Sequence, residues 1–267
     1  MITSTGNQRI KHLLLLGQKA SQRRAEGLFI VEGRREVEHC LAAGFMLRTA
    51  FVCPEIATVP FALPQHTEIV PVSPNVYERI AYRGGTEGIV AVAEARNLTL
   101  HDLRLSSSPL IVVLESVEKP GNLGAVLRSA DAAGADAVVV CDPLTDLYNP
   151  NLIRAAVGAA FTVPCVACRT EECIDFFHNR GIRVLTAQLQ DSSLYYDTPM
   201  TGPTAIVMGT EATGLTERWR RAADAHIRIP MLGHLDSLNV SVSAAVLLYE
   251  AVRQRKMQKN KNNCTLV

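Results

Sequence analysis

The chain has 267 residues, of which 48% are hydrophobic, and a formal net charge of +1. That length suits one large or two modest domains with a sizeable core, and an aromatic content of 5% disfavours an aromatic-rich binding module. No apolar run reaches the ~18 residues of a membrane span, and the leucine run in MITSTGNQRIKHLLLLG is too short for a signal-peptide core, so a soluble cytoplasmic protein with no membrane partner is expected.

The first predicted element is a basic helix in RIKHLLLLGQKASQRRAEG, with Leu13, Leu14 and Leu16 as its apolar face. Residues 1–35 carry Arg9, Lys11, Lys19, Arg23, Arg24, Arg34 and Arg35 against Glu26 and Glu32. Residues 253–267 carry five Lys or Arg and no acid. Two basic ends around an acidic centre suit a polyanion such as nucleic acid, and equally a solvated face with a solubilising tail. LFIVEG, LRTAFVC and GIVAVAEAR read as strands, with helices over Arg35–Ala43 and in SPNVYERIAYR, closed by Gly84 and Gly85. This alternation indicates a small α/β domain. NLTLHDLRLSSSP has low hydrophobic density and reads as a linker.

From Pro109 the alternation sharpens. LIVVLE, DAVVVCD, FTVPCVAC, IRVLTA, TAIVMG and AHIRIPM read as strands between helices, the last helix beginning within LDSLNVSVSAAVLLYEAVRQRK. Short, almost continuously apolar strands separated by helices indicate a parallel sheet covered on both faces. Its ligands belong beyond the strand carboxyl ends. That rule selects the loops after Glu115, Met208 and Met231. The first offers Asn122, which can cap the following helix, and Arg128. The second offers Gly209, where backbone can approach a ligand, and Glu211. The third offers Ser237 and Asn239 near a helix start. Together they can orient a hydroxyl and stabilise developing negative charge. Neither a G-x4-G-K-[S/T] phosphate loop nor a G-x-G-x-x-G fingerprint is present.

Seven scattered cysteines argue against a disulfide framework. Cys165, Cys168, Cys173 and His178 have a zinc-like spacing. Their placement on a strand and the apolar side of a helix reads better as buried thiols, and no metal is expected.

PGNLGAVLRSADAAGADAV, VMGTEATGL and IPMLGHLDSLNVSVSAAVLLYEAVRQR resemble, in order, the three motifs of the SpoU-type RNA ribose 2′-O-methyltransferases, over Leu110 to Lys256. NQRIKHLLLL, FIVEGRREVEHCL and GIVAV resemble the substrate-binding domain often fused to these enzymes. The resemblance implies an α/β fold: a C-terminal parallel-sheet SPOUT domain with a deep trefoil knot, and a smaller, ribosomal-protein-like N-terminal α/β domain. The expected organisation is an RNA substrate-binding domain at 1–97, a linker at 98–108, a catalytic domain at 109–257 and a basic, disordered tail at 258–267. It implies S-adenosyl-L-methionine as methyl donor, a homodimer through the catalytic domain, and RNA as substrate. By motif match Arg128 is the catalytic arginine with Asn122 its companion, Glu211 is the motif-two acid, and Ser237 and Asn239 face the reacting ribose and donor. Gly209, Ile229 and Leu238 match cofactor-binding positions, largely through backbone, and Met231 lines that pocket. Arg154 matches a recurrent RNA-binding arginine, joined on the RNA by the basic N-terminal residues Arg9, Lys11, Arg23, Arg24 and Arg34. Ala212-Thr213 and Ala156 depart from common family residues. The fused front domain favours 23S ribosomal RNA; transfer RNA is the alternative substrate, and a non-catalytic RNA-binding assembly factor the alternative function.

Overall fold

The computed structural model describes residues 1–81, 87–210 and 213–264. It divides into two compact units, Met1–Asn97 with Tyr148–Thr162, and Leu98–Leu147 with Val163–Val267.

In the first unit the basic N-terminal segment is two helices rather than one, α1 (Gln8–Gln18) and α2 (Ala20–Glu26). Asn7 caps α1 by accepting from the Arg9 N–H at 2.9 Å. Ile10, Leu13 and Leu16 form its buried face. The break falls at Lys19, which is extended at φ −114°, ψ 111°. Arg23 reaches back across it, and its Nη1 donates to the Leu16 and Gly17 carbonyls at 2.6 and 3.2 Å. These are carbonyls that the end of α1 leaves without helical partners.

β1 (Leu28–Glu32), α3 (Arg34–Ala42), β2 (Leu47–Val52), β3 (Glu68–Pro71), α4 (Pro74–Ile80) and β4 (Ile89–Glu94) follow. Their sheet has the order β1-β4-β2-β3, antiparallel except between β2 and β3. β3 carries only two apolar residues before its proline, so its pattern is too short to read as a strand without the β2 partner. Gly84 and Gly85, expected to close α4, lie outside the described residues.

The second unit begins inside the expected linker. Leu100 and Leu103 are buried in its core. The Asp136 carboxylate accepts from the Ser106 and Leu110 N–H groups at 2.7 and 2.8 Å. β5 (Leu110–Glu115), α5 (Pro120–Ala133) and β6 (Ala137–Cys141) lead to α6 (Pro150–Ala156) and α7 (Ala159–Thr162), which are split by Val157 and Gly158 at positive φ. These two short helices pack in the first unit. Tyr148 stacks on Phe29 at 4.4 Å and Phe161 packs against Phe45 at 5.4 Å, so residues 148–162 pack with the first unit.

β7 (Cys165–Cys168), α8 (Thr170–Asn179), β8 (Arg183–Ala187), β9 (Ser193–Leu194), β10 (Thr204–Met208), α9 (Glu217–Ala222), β11 (Ala225–Arg228) and α10 (Val240–Cys264) complete the unit. Among the described residues the sheet has seven strands in the order β7-β6-β5-β10-β8-β11-β9, every pair parallel. β5, β6 and β10 are buried along their whole length, as strands covered on both faces must be.

α10 buries Val240, Ala244, Leu247, Leu248 and Ala251 and packs on α5. It runs on to Cys264, through most of the segment expected as a disordered tail. Gln, Lys and Met favour helix, and neither Gly nor Pro interrupts them. Its Arg255 donates to the Met200, Ser108, Pro109 and Gly202 carbonyls at 2.7–3.1 Å, tying the helix to the chain before β5 and β10. Among the described residues no helix is long and apolar enough to cross a membrane.

Candidate active site

A cleft of about 390 Å³ opens at the carboxyl edge of the parallel sheet. It is bounded by the residues after β8, β10 and β11 and by the start of α10. Gly209, Ile229, Met231 and Leu238, the four expected cofactor positions, all line it, as does Ser237. Leu189, Ile229 and Leu238 supply apolar walls, and Gln188, Arg220 and Asp236 supply polar ones.

Gly209 is required by the loop that follows it. A Cβ there would lie 2.2 Å from the Gly214 carbonyl oxygen and 2.5 Å from the Leu215 nitrogen. The space was expected for a ligand; the loop's own backbone fills it. Thr210 pairs with Gly214 across the loop, the Gly214 N–H donating to the Thr210 carbonyl at 3.0 Å, and Gly214 takes φ +68°. Only glycine holds that close approach. Glu211, the expected motif-two acid, lies outside the described residues, as does Ala212.

Asn239, not Asp236 or Ser237, caps α10. Its Oδ1 accepts from the Ser241 N–H at 3.0 Å and hydroxyl at 2.6 Å. Its carbonyl accepts from Val242 and Ser243. With Oδ1 so used, its Nδ2 donates to Asn122 Oδ1 at 3.1 Å. Asn122 does not cap α5. It lies in the first turn of a helix that begins at Pro120, which leaves its side chain to meet Asn239. Two expected site residues 117 positions apart are thereby joined. Arg128, on the third turn of α5, is exposed, with neither hydrogen bond nor ion pair to a described residue. Ser241 belongs to the cap, and Ser243 borders the cleft.

Glu115, at the end of β5, is buried. It accepts from the Thr216 N–H at 2.8 Å and hydroxyl at 2.7 Å, and so caps α9 through Thr216. This acid at the sheet edge is structural.

The expected RNA-contacting residues divide. Lys11 and Arg24 are exposed. Arg9 is exposed but held by both oxygens of Glu68. Arg23 is buried on the α1 carbonyls. Arg34 lies over the Phe61 ring at 4.0 Å and donates to the Val59 and Pro60 carbonyls. Arg154 is half-buried, bonds Asn151 and belongs to the first unit.

The cysteine cluster differs from its expected membership. The sulfurs of Cys141, Cys168 and Cys173 lie within 4.8 Å of one another, because the β6–β7 register sets Cys141 opposite Cys168. Cys165 stands apart with its thiol pushed up to about 12 by burial. His178 contacts the Ala222 carbonyl at 3.2 Å.

The loop after β8 carries site residues that sequence reasoning missed. AQLQDSS has no motif, and only the order β10-β8-β11 places Gln188 and Leu189 between the two motif loops. Arg220 was likewise missed, since TERWRRAA carries no motif.

A parallel α/β sheet with a loop-built cleft at its carboxyl edge, beside the Asn122–Asn239 pair, has its cleft where open α/β sheets bind their ligands. The chain belongs to the SpoU rRNA Methylase family, which it matches over residues 109–249. Residues 7–91 match the MRM3-like substrate binding domain. The chain is 29% identical over 248 residues to the 23S rRNA (guanosine(2553)-2′-O)-methyltransferase RlmP of Bacillus subtilis, covering 93% of this chain and 97% of that one. A crystal structure of an RNA 2′-O ribose methyltransferase superposes with a TM-score of 0.83 at 42% identity, covering 95% and 98% of the two chains. The SpoU methyltransferase AviRb from Streptomyces viridochromogenes, solved with the cofactor AdoMet, superposes with a TM-score of 0.84 at 28% identity, covering 93% and 98%.

Proposed function

We propose that this protein transfers the methyl group of S-adenosylmethionine to a ribose 2′-hydroxyl of 23S ribosomal RNA. The observation that carries the proposal is the meeting of Gly209, Ile229, Met231, Leu238 and Ser237 on one cleft, beside the Asn122–Asn239 pair. The cleft suits the cofactor: apolar walls for a flat base, a tight glycine loop, and polar groups for the amino-acid end. When bound, the cofactor supplies a methyl group on a sulfonium.

The chain's own residues supply position and charge. Asn239, fixed by its cap, and Asn122, fixed by Asn239, orient the polar edge of the site. The Arg128 guanidinium stabilises the oxyanion character that develops on the 2′-oxygen. Ribosomal RNA as substrate is supported by what the relatives are named for. The exposed Lys11 and Arg24 of the substrate-binding unit are suited to phosphate contacts. Exposed Leu232, Leu235, Val242 and Tyr249 around the start of α10 support a homodimer through the catalytic domain. The trefoil knot belongs to the same reading and is supported by the family.

Arg128→Ala tests the assignment. Methyl transfer to ribosomal RNA is expected to fall roughly 10²–10³-fold, the scale for losing one electrostatic stabiliser. Affinity for S-adenosylhomocysteine, measured by titration calorimetry, should change less than about twofold, since an effect below about 0.4 kcal/mol is sub-twofold. Wild-type turnover in the variant would refute the role of Arg128. Ribose-methylation mapping of RNA from cells with and without the gene identifies the nucleotide.

A further inference from the structure

Two residues that line the cleft each carry a polar atom with unmet bonding capacity. The Arg220 Nε is buried with no hydrogen-bond partner, and so is the Gln188 Oε1. Both residues line the cleft. Arg220 makes no ion pair with any described acid, Asp236 of the same cleft included. A buried guanidinium donor and a buried amide acceptor without partners are costly, and beside a ligand cleft a bound polar group is the explanation that satisfies both.

We infer that Arg220 and Gln188 form the subsite for the methionyl end of the cofactor, Arg220 taking the carboxylate and Gln188 the ammonium. This rests on reading the cleft as the S-adenosylmethionine site. The chemistry selects that end over the adenine. The carboxylate is the cofactor's one anion, and a guanidinium is the donor that matches a carboxylate in charge and geometry. The ammonium beside it carries donors alone, which suits the free Gln188 oxygen. Position is fixed by the scaffold. Glu115 caps α9 through Thr216, and the Arg220 N–H closes the first turn on the Thr216 carbonyl at 3.3 Å. Gln188 is anchored by its N–H on the Ile227 carbonyl at 2.9 Å and by its Nε2 on the Gln190 carbonyl at 2.9 Å. Its Oε1 is thereby left over. These are specificity residues and take no part in the methyl transfer itself.

The test is a cycle of calorimetric titrations on the full-length protein with three ligands: S-adenosylmethionine, its decarboxylated analogue, and 5′-methylthioadenosine, which lacks the methionyl end. On the wild type, removing the carboxylate should weaken binding roughly 10- to 100-fold, the scale of a charge-assisted hydrogen bond. Arg220→Met should weaken S-adenosylmethionine by a similar factor, bind the decarboxylated analogue like the wild type, and leave methylthioadenosine within about twofold. Arg220→Lys should recover part of the loss. Equal affinity of the wild type for S-adenosylmethionine and its decarboxylated analogue overturns the inference without any variant having to fold. So does an Arg220→Met loss shared by methylthioadenosine. A wild type that binds none of the three overturns the reading of the cleft as well.

Discussion

Asn239 sits in the polar crowd before α10 and does two things at once. One side-chain atom caps the helix and the other holds Asn122. The two roles separate by substitution. Serine is as good an N-cap as asparagine but too short to reach Asn122. Asn239→Ser should therefore keep thermal stability within about 0.5 kcal/mol while methyl transfer falls at least about tenfold, the usual scale for a loosened reacting geometry. A variant whose stability and activity decline in proportion would assign Asn239 to the cap alone. Sequence reasoning singled out both asparagines, because both lie in loops expected at the carboxyl edge of the sheet. It could not pair them, because no local rule relates positions 122 and 239. Gly209 illustrates the same limit: glycine after a buried strand signalled a close approach, but what approaches is Gly214, not a ligand.

At the scale of the element, α10 depends on buried charge as well as on its apolar face. The Glu250 carboxylate is buried and accepts from Arg253 Nε at 2.8 Å and Nη2 at 2.7 Å, and from Gln254 Nε2 at 2.8 Å. The Arg253 hydrogen bond holds the carboxyl below its usual value, with smaller help from Gln254. A carboxylate whose folded pKa is depressed contributes stability that is present above the unfolded value of about 4.3 and is lost as pH falls through the folded value. Glu250→Gln should thus melt lower than the wild type at pH 7, with the gap closing below about pH 4 in thermal scans. A gap independent of pH would mean that packing, not charge, is what Glu250 contributes. The 3.6-residue apolar period made the buried face of α10 legible from Val240 to Ala251. Its extension to Cys264 was not, since a run of basic residues reads equally as a solvated tail and as an exposed helix. The split of the N-terminal helix at Lys19 was also hidden, because Arg23 heals the break through tertiary bonds that no propensity encodes.

Across the whole molecule, the basic ends are not uniformly available to a polyanion. Arg23 and Arg255 are committed to backbone carbonyls, Arg253 to Glu250 and Arg34 to Phe61 and two carbonyls. Lys11 and Arg24 remain exposed. Lys11→Ala with Arg24→Ala should weaken RNA binding and lower the slope of log affinity against log salt by about 1–2, roughly one for each phosphate no longer neutralised. Arg23→Ala should instead lower the melting temperature, because it strips partners from buried carbonyls. An unchanged salt slope in the double variant would place the RNA elsewhere on the molecule.

The sequence by itself determined the parallel α/β catalytic unit, the three motif loops and five of the residues that line the cleft, Gly209, Ile229, Met231, Ser237 and Leu238. Those follow from hydrophobic period, strand chemistry and short motifs, which are local. Strand order was decided only in three dimensions, and with it the arrival of the β8 loop in the cleft, the pairing of Asn122 with Asn239 and the positions of Gln188 and Arg220. The separation of residues 148–162 into the first unit has the same origin: Tyr148 and Phe161 complete an aromatic cluster around Phe29 and Phe45. Such packing arises from burying surfaces far apart in the chain, and burial depends on the whole fold rather than on any stretch of it.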